Sequence, residues 1–275
     1  MRIGGDGVWR ATRTPQGTVT THITSDGVGG LTMRAWGDGA TWALDAFPAL
    51  VGADDADDPL DAMALHPLVV DCRRRLPGLR VGRSQAVVEA LVPTILEQKV
   101  VGIEARRSYA HLVRALGEPA PGPAAGLRVP PSPATLAATP SYVFHRFGVE
   151  RKRADTIRMA CTYAARLEET VAMAPDDARR RLTALPGIGP WSAAEVAMVA
   201  LGDADAVSVG DYHLPHQVAW ALAGEARADD ARMLELLEPY RGQRGRVIRL
   251  LLNGSPVGLP PRRGPRMALR SIANS

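Results

Sequence analysis

Two periods of apolar residues divide the chain. Val19, Thr21 and Ile23 alternate with Thr20, His22 and Thr24. This two-residue repeat, rich in β-branched side chains, predicts a strand. A glycine-rich turn over 27–30 follows, and Leu31, Met33 and Ala35 resume the alternation until Gly37-Asp38-Gly39 ends it. The stretch 44–50 predicts a short helix or strand, and the acidic run Asp54-Asp55-Ala56-Asp57-Asp58 after it reads as a solvated loop. From Ser84 the spacing becomes helical, with Val87, Val88, Leu91, Ile95, Val100 and Ile103 recurring every three or four residues. Val113 and Leu116 close a helix that Gly117 stops, and a Pro/Gly-rich loop follows. Ser132-Pro133 starts the next helix, with Ser as N-cap and Pro at the first helical position. The pattern predicts one helix over 151–167 and another from Pro175 to Leu185. The expected fold is mainly α, with a small N-terminal α+β domain at 1–76 and a helical region at 77–275.

Composition adds limits. A chain of 275 residues that is 46% hydrophobic can bury one large core or two modest ones. No run of about 18 apolar residues occurs, and the start lacks the apolar stretch of a signal peptide, so a cytoplasmic location is expected. Cys72 and Cys161 are the only cysteines, which predicts reduced thiols and excludes a four-cysteine zinc or iron–sulfur site. His213 and His216 are better read as surface or capping residues than as a zinc pair. The net charge of +4 agrees with a nucleic-acid partner. Lys99 and Lys152 are the only lysines, so any Schiff-base chemistry has two candidates. Arg262, Arg263, Arg266 and Arg270 make the C-terminus either a basic tail that touches DNA or a frayed end.

The most informative string is Leu182-Thr183-Ala184-Leu185-Pro186-Gly187-Ile188-Gly189-Pro190-Trp191-Ser192-Ala193. Pro186 cannot continue the preceding helix, Gly187 and Gly189 permit a tight turn, and Pro190 suits the first turn of a second helix. The hairpin region spans 182–201. Its turn has unpaired backbone N–H groups at a helix N-terminus and no side chain in the way, which favours an anion such as a DNA phosphate. Some twenty residues later, Gly210 precedes Asp211-Tyr212-His213-Leu214-Pro215, where another helix begins. By position alone Asp211 is an N-cap.

The hairpin and the downstream Asp resemble those of the helix-hairpin-helix DNA glycosylases, and in particular the bacterial inducible 3-methyladenine glycosylases, which also carry Trp after the hairpin. The resemblance extends to the β-rich start and to Ile95-Leu96-Glu97-Gln98, and is strongest over 182–220. It implies that Asp211 is the catalytic carboxylate and that Gly187, Ile188 and Gly189 bind the DNA backbone. It also implies that main-chain carbonyls of Thr183, Leu185 and Ile188 hold a monovalent cation, Na+ or K+, with no cofactor needed for catalysis.

Further implications concern the base and the gap it leaves. A damaged base must leave the stack to be attacked. Trp191 and Tyr212 match positions of an aromatic base pocket, while Glu195 stands where such enzymes have an aromatic residue and Arg249 lies near a stacking Trp position. The pocket is therefore more polar than the family type. Gln98 matches a residue near the void in the DNA. The plugging residue is either Lys99 or Val100, unless Lys99 binds phosphate instead. Bifunctional relatives form a Schiff base through a Lys where this chain has Trp191, so a monofunctional glycosylase without strand-cutting activity is expected. The implied partner is double-stranded DNA with alkylated purines, met by a monomer in the cytoplasm. A non-catalytic DNA-binding protein, or a glycosylase for deaminated or oxidised bases, are the other readings. Asp211 argues against the first, because a pure binder has no use for an anion facing a polyanion.

Overall fold

The computed structural model describes residues 1–55 and 58–260; the basic run with Arg262, Arg263, Arg266 and Arg270 lies outside them. Four antiparallel strands in chain order, β1 (Arg2–Gly4), β2 (Gly7–Thr14), β3 (Gly17–Ser25) and β4 (Leu31–Trp36), form the N-terminal sheet. The alternation predicted for β3 is only half of the result. Val19 packs with Met33 and with Ala43 of α1 (Ala40–Asp45). Thr20, on the other face, is equally sealed from solvent. The stretch 44–50 is helical, running from α1 into α2 (Phe47–Val51).

The helix α3 (Pro67–Arg75) does not pack on this sheet. Its Val69 and Cys72 join Leu60 in a core with Leu214, Val218, Met233, Leu237, Val247 and Leu251. Those partners belong to the last helices, α12 (Leu214–Ala223), α13 (Asp230–Leu237) and α14 (Arg244–Gly254). The acidic run is also not simply solvated. Asp55 accepts two hydrogen bonds from the buried guanidinium of Arg246 in α14, one of 2.7 Å to Nη1, and a third of 2.7 Å from the Val81 N–H. An ion pair this sealed needs such complete hydrogen bonding to offset its desolvation.

The central core is helical. It gathers Leu91 and Ile95 of α4 (Val87–Glu97), Leu112 of α5 (Gly102–Leu116), Leu136 of α6 (Pro133–Ala138) and Phe144 of α7 (Ser141–His145). To these it adds Ile157 of α8 (Arg151–Thr162), Leu167 of α9 (Ala164–Glu168), Leu182 of α10 (Pro175–Thr183) and Ala193 of α11 (Pro190–Val196). The Ser132 hydroxyl caps α6 by accepting from Thr135 N–H, as its position before Pro133 predicts. Two expectations change. The region after 84 is not wholly helical, because Glu118–Pro119 (β5) and Arg128–Val129 (β6) pair within the Pro/Gly-rich loop. The single helix expected over 151–167 breaks at Tyr163, which leaves helical geometry at φ −96°, ψ 17°. The break lets Leu167 enter the core while the Glu168 carboxylate reaches the head of α4. There it accepts 2.9 Å hydrogen bonds from the N–H groups of Val87 and Val88.

Both ends of α4 are thereby anchored. Glu168 satisfies donors at the start, and the buried Arg153 donates to the Leu96 carbonyl at the end, at 3.0 Å. Arg10 of β2 holds Glu89 on the same helix at 2.9 Å. The helical spacing that ran on to Ile103 in sequence is interrupted in the structure. α4 stops at Gln98, Lys99 takes a left-handed φ of 55°, and α5 starts afresh at Gly102.

Candidate active site and nucleic-acid interface

The hairpin joins α10 to α11. Leu185 O accepts from Ile188 N–H at 3.0 Å, and the Ile188 side chain is buried in the central core, which pins the turn. The two glycines differ. Gly187 has φ +88°, and a Cβ there would meet Thr156 Oγ1 of α8 at 2.7 Å, so both conformation and space demand glycine. Gly189 is extended, at φ −95° and ψ −178°, and a Cβ there would meet nothing within 4 Å. The face of the turn at Gly189 is therefore open to a ligand. The carbonyls of Thr183 and Ile188 accept no backbone hydrogen bond among the described residues, and that of Leu185 accepts one. A set of neutral main-chain oxygens with lone pairs to spare fits a monovalent cation.

Gln98 is tied to this hairpin. Its Nε2 donates to the Gly187 carbonyl and to Ser192 Oγ, both at 2.9 Å. The segment 97–99 is thus brought beside the hairpin although it lies some ninety residues away in sequence. Lys99 is exposed and Val100 is half-buried. Lys99 is far from Trp191 in sequence, but the Gln98–Ser192 bond places its segment against the residue next to Trp191.

Trp191 opens α11 and is half-buried. Its indole Nε1 donates to Asp211 Oδ2 at 3.1 Å. The other oxygen of Asp211, Oδ1, accepts from the N–H groups of His213 and Leu214 at 2.7 and 2.8 Å. Asp211 is not itself the N-cap of α12 (Leu214–Ala223): that position is His213, and Asp211, two residues earlier, accepts from the free N–H groups there, a geometry that also aims its carboxylate at α11. Gly210, at φ +90°, makes the approach, its N–H held by Asp230 of α13 at 3.1 Å. Tyr212 is 82% exposed and stands edge-on to His213, with ring centroids 4.9 Å apart. Among the described residues no ring contact joins it to Trp191. His216 Nδ1 accepts from the Ala228 N–H, and no group of three or more metal-ligating side chains occurs among the described residues.

Glu195 lies one turn beyond Trp191. It accepts a hydrogen bond at Oε1 from Ser208, a fully buried residue three positions before Asp211. Burial pushes its carboxyl above the ordinary glutamate range and the Asp211 charge adds to this; the Ser208 hydroxyl and the Arg249 charge oppose it. Glu97, at the end of α4, is likewise raised by burial and then by Glu195, against the opposing Arg106. Arg249 of α14 contacts Met198 Sδ through Nε at 2.8 Å. Sequence reasoning named Glu195 and Arg249 as departures from an aromatic pocket. It did not find Ser208 or Glu97 as their neighbours, because nothing in either residue's local pattern marks it.

No family model matches the chain. Over 176 residues, 62% of this chain, it is 33% identical to the AlkA protein of Mycobacterium tuberculosis, described as a probable bifunctional transcriptional activator/DNA repair enzyme. The matched stretch is 33% of that relative, so the chain spans about a third of its length. A 3-methyladenine DNA glycosylase from Archaeoglobus fulgidus superposes with a TM-score of 0.74 at 19% identity, over 89% of this chain and 85% of that one. A Clostridium acetobutylicum 8-oxoguanine glycosylase/lyase in complex with double-stranded DNA superposes with a TM-score of 0.67 at 13% identity, over 88% and 85%. The chain therefore has the fold of the helix-hairpin-helix DNA glycosylases and, across the stretch it shares with that relative, an AlkA-like sequence.

Proposed function

We propose that the protein is a monofunctional DNA glycosylase that hydrolyses the N-glycosidic bond of purines alkylated at N3 or N7, acting as a monomer on double-stranded DNA. The observation that carries this reading is the carboxylate of Asp211, held by two main-chain N–H groups and the Trp191 indole beside the hairpin. Cleavage of the glycosidic bond builds positive charge on the sugar, and a fixed, pre-oriented anion stabilises that charge with no reorganisation during the reaction. The same carboxylate can take the proton of the attacking water. Purines alkylated at N3 or N7 already carry a positive charge and depart neutral, so Asp211 alone suffices for them. The cationic ring is attracted to the face of Trp191, worth about 0.5–2 kcal/mol. The hairpin holds backbone phosphate, with a monovalent cation on the carbonyls of Thr183, Leu185 and Ile188 supplying positive charge when bound. Lys99 or Val100, next to Gln98, fills the space the flipped base leaves.

The experiment is base release from duplex DNA treated with a methylating agent, read by mass spectrometry. Release of 3-methyladenine and 7-methylguanine is expected, and Asp211→Asn should lower it by about 100-fold or more while duplex binding persists. The abasic strand should stay intact and borohydride should trap no enzyme–DNA adduct, since Trp191 occupies the position of the Schiff-base lysine. Failure to release either base, or release by Asp211→Asn at the wild-type rate, overturns the assignment. A trapped adduct that Lys99→Ala abolishes overturns the monofunctional part alone.

A further inference from the structure

Trp191 and Glu195 are four residues apart on α11 and so share one helix face. Each is tied to the segment that leads into α12, Trp191 to Asp211 and Glu195 to Ser208. Two independent links thus bring a second carboxyl group to the site of the first. Their surroundings differ. Asp211 has both oxygens occupied, by three N–H donors. Glu195 has one hydrogen bond, at Oε1, from a hydroxyl. Among the described residues Oε2 has no hydrogen-bond partner, and it is not sealed from solvent. A hydroxyl can donate to a carboxylate or accept from a carboxylic acid, so Ser208 serves Glu195 in either protonation state.

We propose that Glu195 is a proton donor to the departing base, so that the pocket also releases purines without a formal charge; this rests on the glycosylase reading of the site. The charged groups that face Glu195 are Asp211, before α12, Glu97, at the end of α4, and Arg249, on α14. Burial and the Asp211 charge favour the protonated acid, Arg249 and Ser208 oppose it, and the first pair prevails. A carboxyl group that burial and a neighbouring negative charge push toward its acid form can carry a proton to a substrate bound beside it. In the reaction, the Glu195 O–H proton passes to N3 or N7 of the purine as the C1′–N9 bond breaks and its electron pair stays on N9. The base leaves neutral, and Glu195 is left as carboxylate. Water oxygen bonds to C1′, its proton passes through Asp211 to solvent, and Glu195 regains a proton from solvent. An alkylated, cationic purine needs no such proton, so Glu195 sets the ratio between the two substrate classes.

The test uses duplexes with a single hypoxanthine or a single 7-methylguanine, under single turnover from about pH 5 to about pH 8. In the wild-type protein the ratio of hypoxanthine to 7-methylguanine release should fall as pH rises, because the donor loses its proton. In Glu195→Gln the ratio should drop about tenfold or more and lose its pH dependence. A pH-independent ratio in the wild-type protein, an unchanged ratio in Glu195→Gln, or no hypoxanthine release beside active 7-methylguanine release overturns the proposal. If Glu195→Gln fails to fold, the wild-type profile decides by itself. Release of neither base removes the glycosylase reading, and this proposal with it.

Discussion

At Asp211 the helix-end contacts and the proposed catalytic role draw on the same geometry. The N–H groups of His213 and Leu214 lack helical partners at the start of α12, so an oxygen acceptor belongs there. Meeting that need with Oδ1 turns Oδ2 toward α11, where the Trp191 indole fixes it. The orientation of the carboxylate therefore depends on a single side-chain donor. Trp191→Phe keeps an aromatic face and removes that donor. A hydrogen bond to a charged group contributes about 1.5–3 kcal/mol, so the rate of 7-methylguanine release should fall about 10- to 100-fold. Circular dichroism should show the native helix content. A wild-type single-turnover rate in this variant would mean that the main-chain donors orient Asp211 by themselves.

The hairpin is the element that separates fold from binding. The two glycines read alike in sequence, yet of the pair only Gly187 is constrained by its neighbours. A side chain at Gly187 would strain a left-handed backbone and push on Thr156, so loss of binding there would be confounded with loss of stability. Gly189→Leu avoids both, because the backbone is extended and the space is open. Its stability should stay within about 0.5 kcal/mol of wild type. Binding to damaged and undamaged duplex should weaken about equally, since backbone phosphate carries no sequence or damage information. Fluorescence anisotropy with both duplexes checks this, and a loss confined to damaged DNA would put the hairpin in the base pocket. Beside the hairpin, α4 is held at its head by Glu168 and at its tail by Arg153. Gln98 and Lys99 are presented from that fixed end.

At the scale of the whole molecule, the pair Asp55–Arg246 ties the loop after α2 to α14. Burial raises the Asp55 carboxyl, but the Arg246 hydrogen bonds, the Val81 N–H and the charges of Arg246 and Arg80 outweigh it and hold the group below the ordinary aspartate range. The sign of the linkage follows. A depressed folded pKa contributes stability that is complete above the unfolded value of about 3.9 and is lost as pH falls through the folded value. Asp205, depressed through its bonds to Arg244 and Gly242 despite burial, acts in the same direction. Denaturant unfolding should therefore show stability decreasing below about pH 4. Asp55→Asn should lose about 1–3 kcal/mol at neutral pH, because it removes the carboxylate to which the buried Arg246 guanidinium donates two hydrogen bonds. A loss under about 1 kcal/mol would show that the pair contributes little to joining these elements.

The sequence by itself determined what short-range chemistry decides. The strand alternation at 19–24, the Ser132 cap, the Leu-Pro-Gly-Ile-Gly-Pro-Trp turn and the Asp at a helix head each rest on residues within a few positions of one another. Local backbone preferences and helix-end donors therefore made them legible. The break at Tyr163 was not legible, because 151–167 is helical in pattern throughout. Only the demand of α4 for a distant capping carboxylate, and of the core for Leu167, accounts for it. The acidic run was misread at Asp55 for the same reason: its partner is 191 residues away. The site divides likewise. Asp211, Trp191 and the hairpin could be named from the chain. Tertiary structure alone decided that Trp191 holds Asp211, that Gln98 braces the hairpin, and that Ser208 and Glu195 place a second, half-buried carboxyl group beside the first. Burial and charge proximity set the protonation of such a group, and both are properties of the packed molecule, not of the order of its residues.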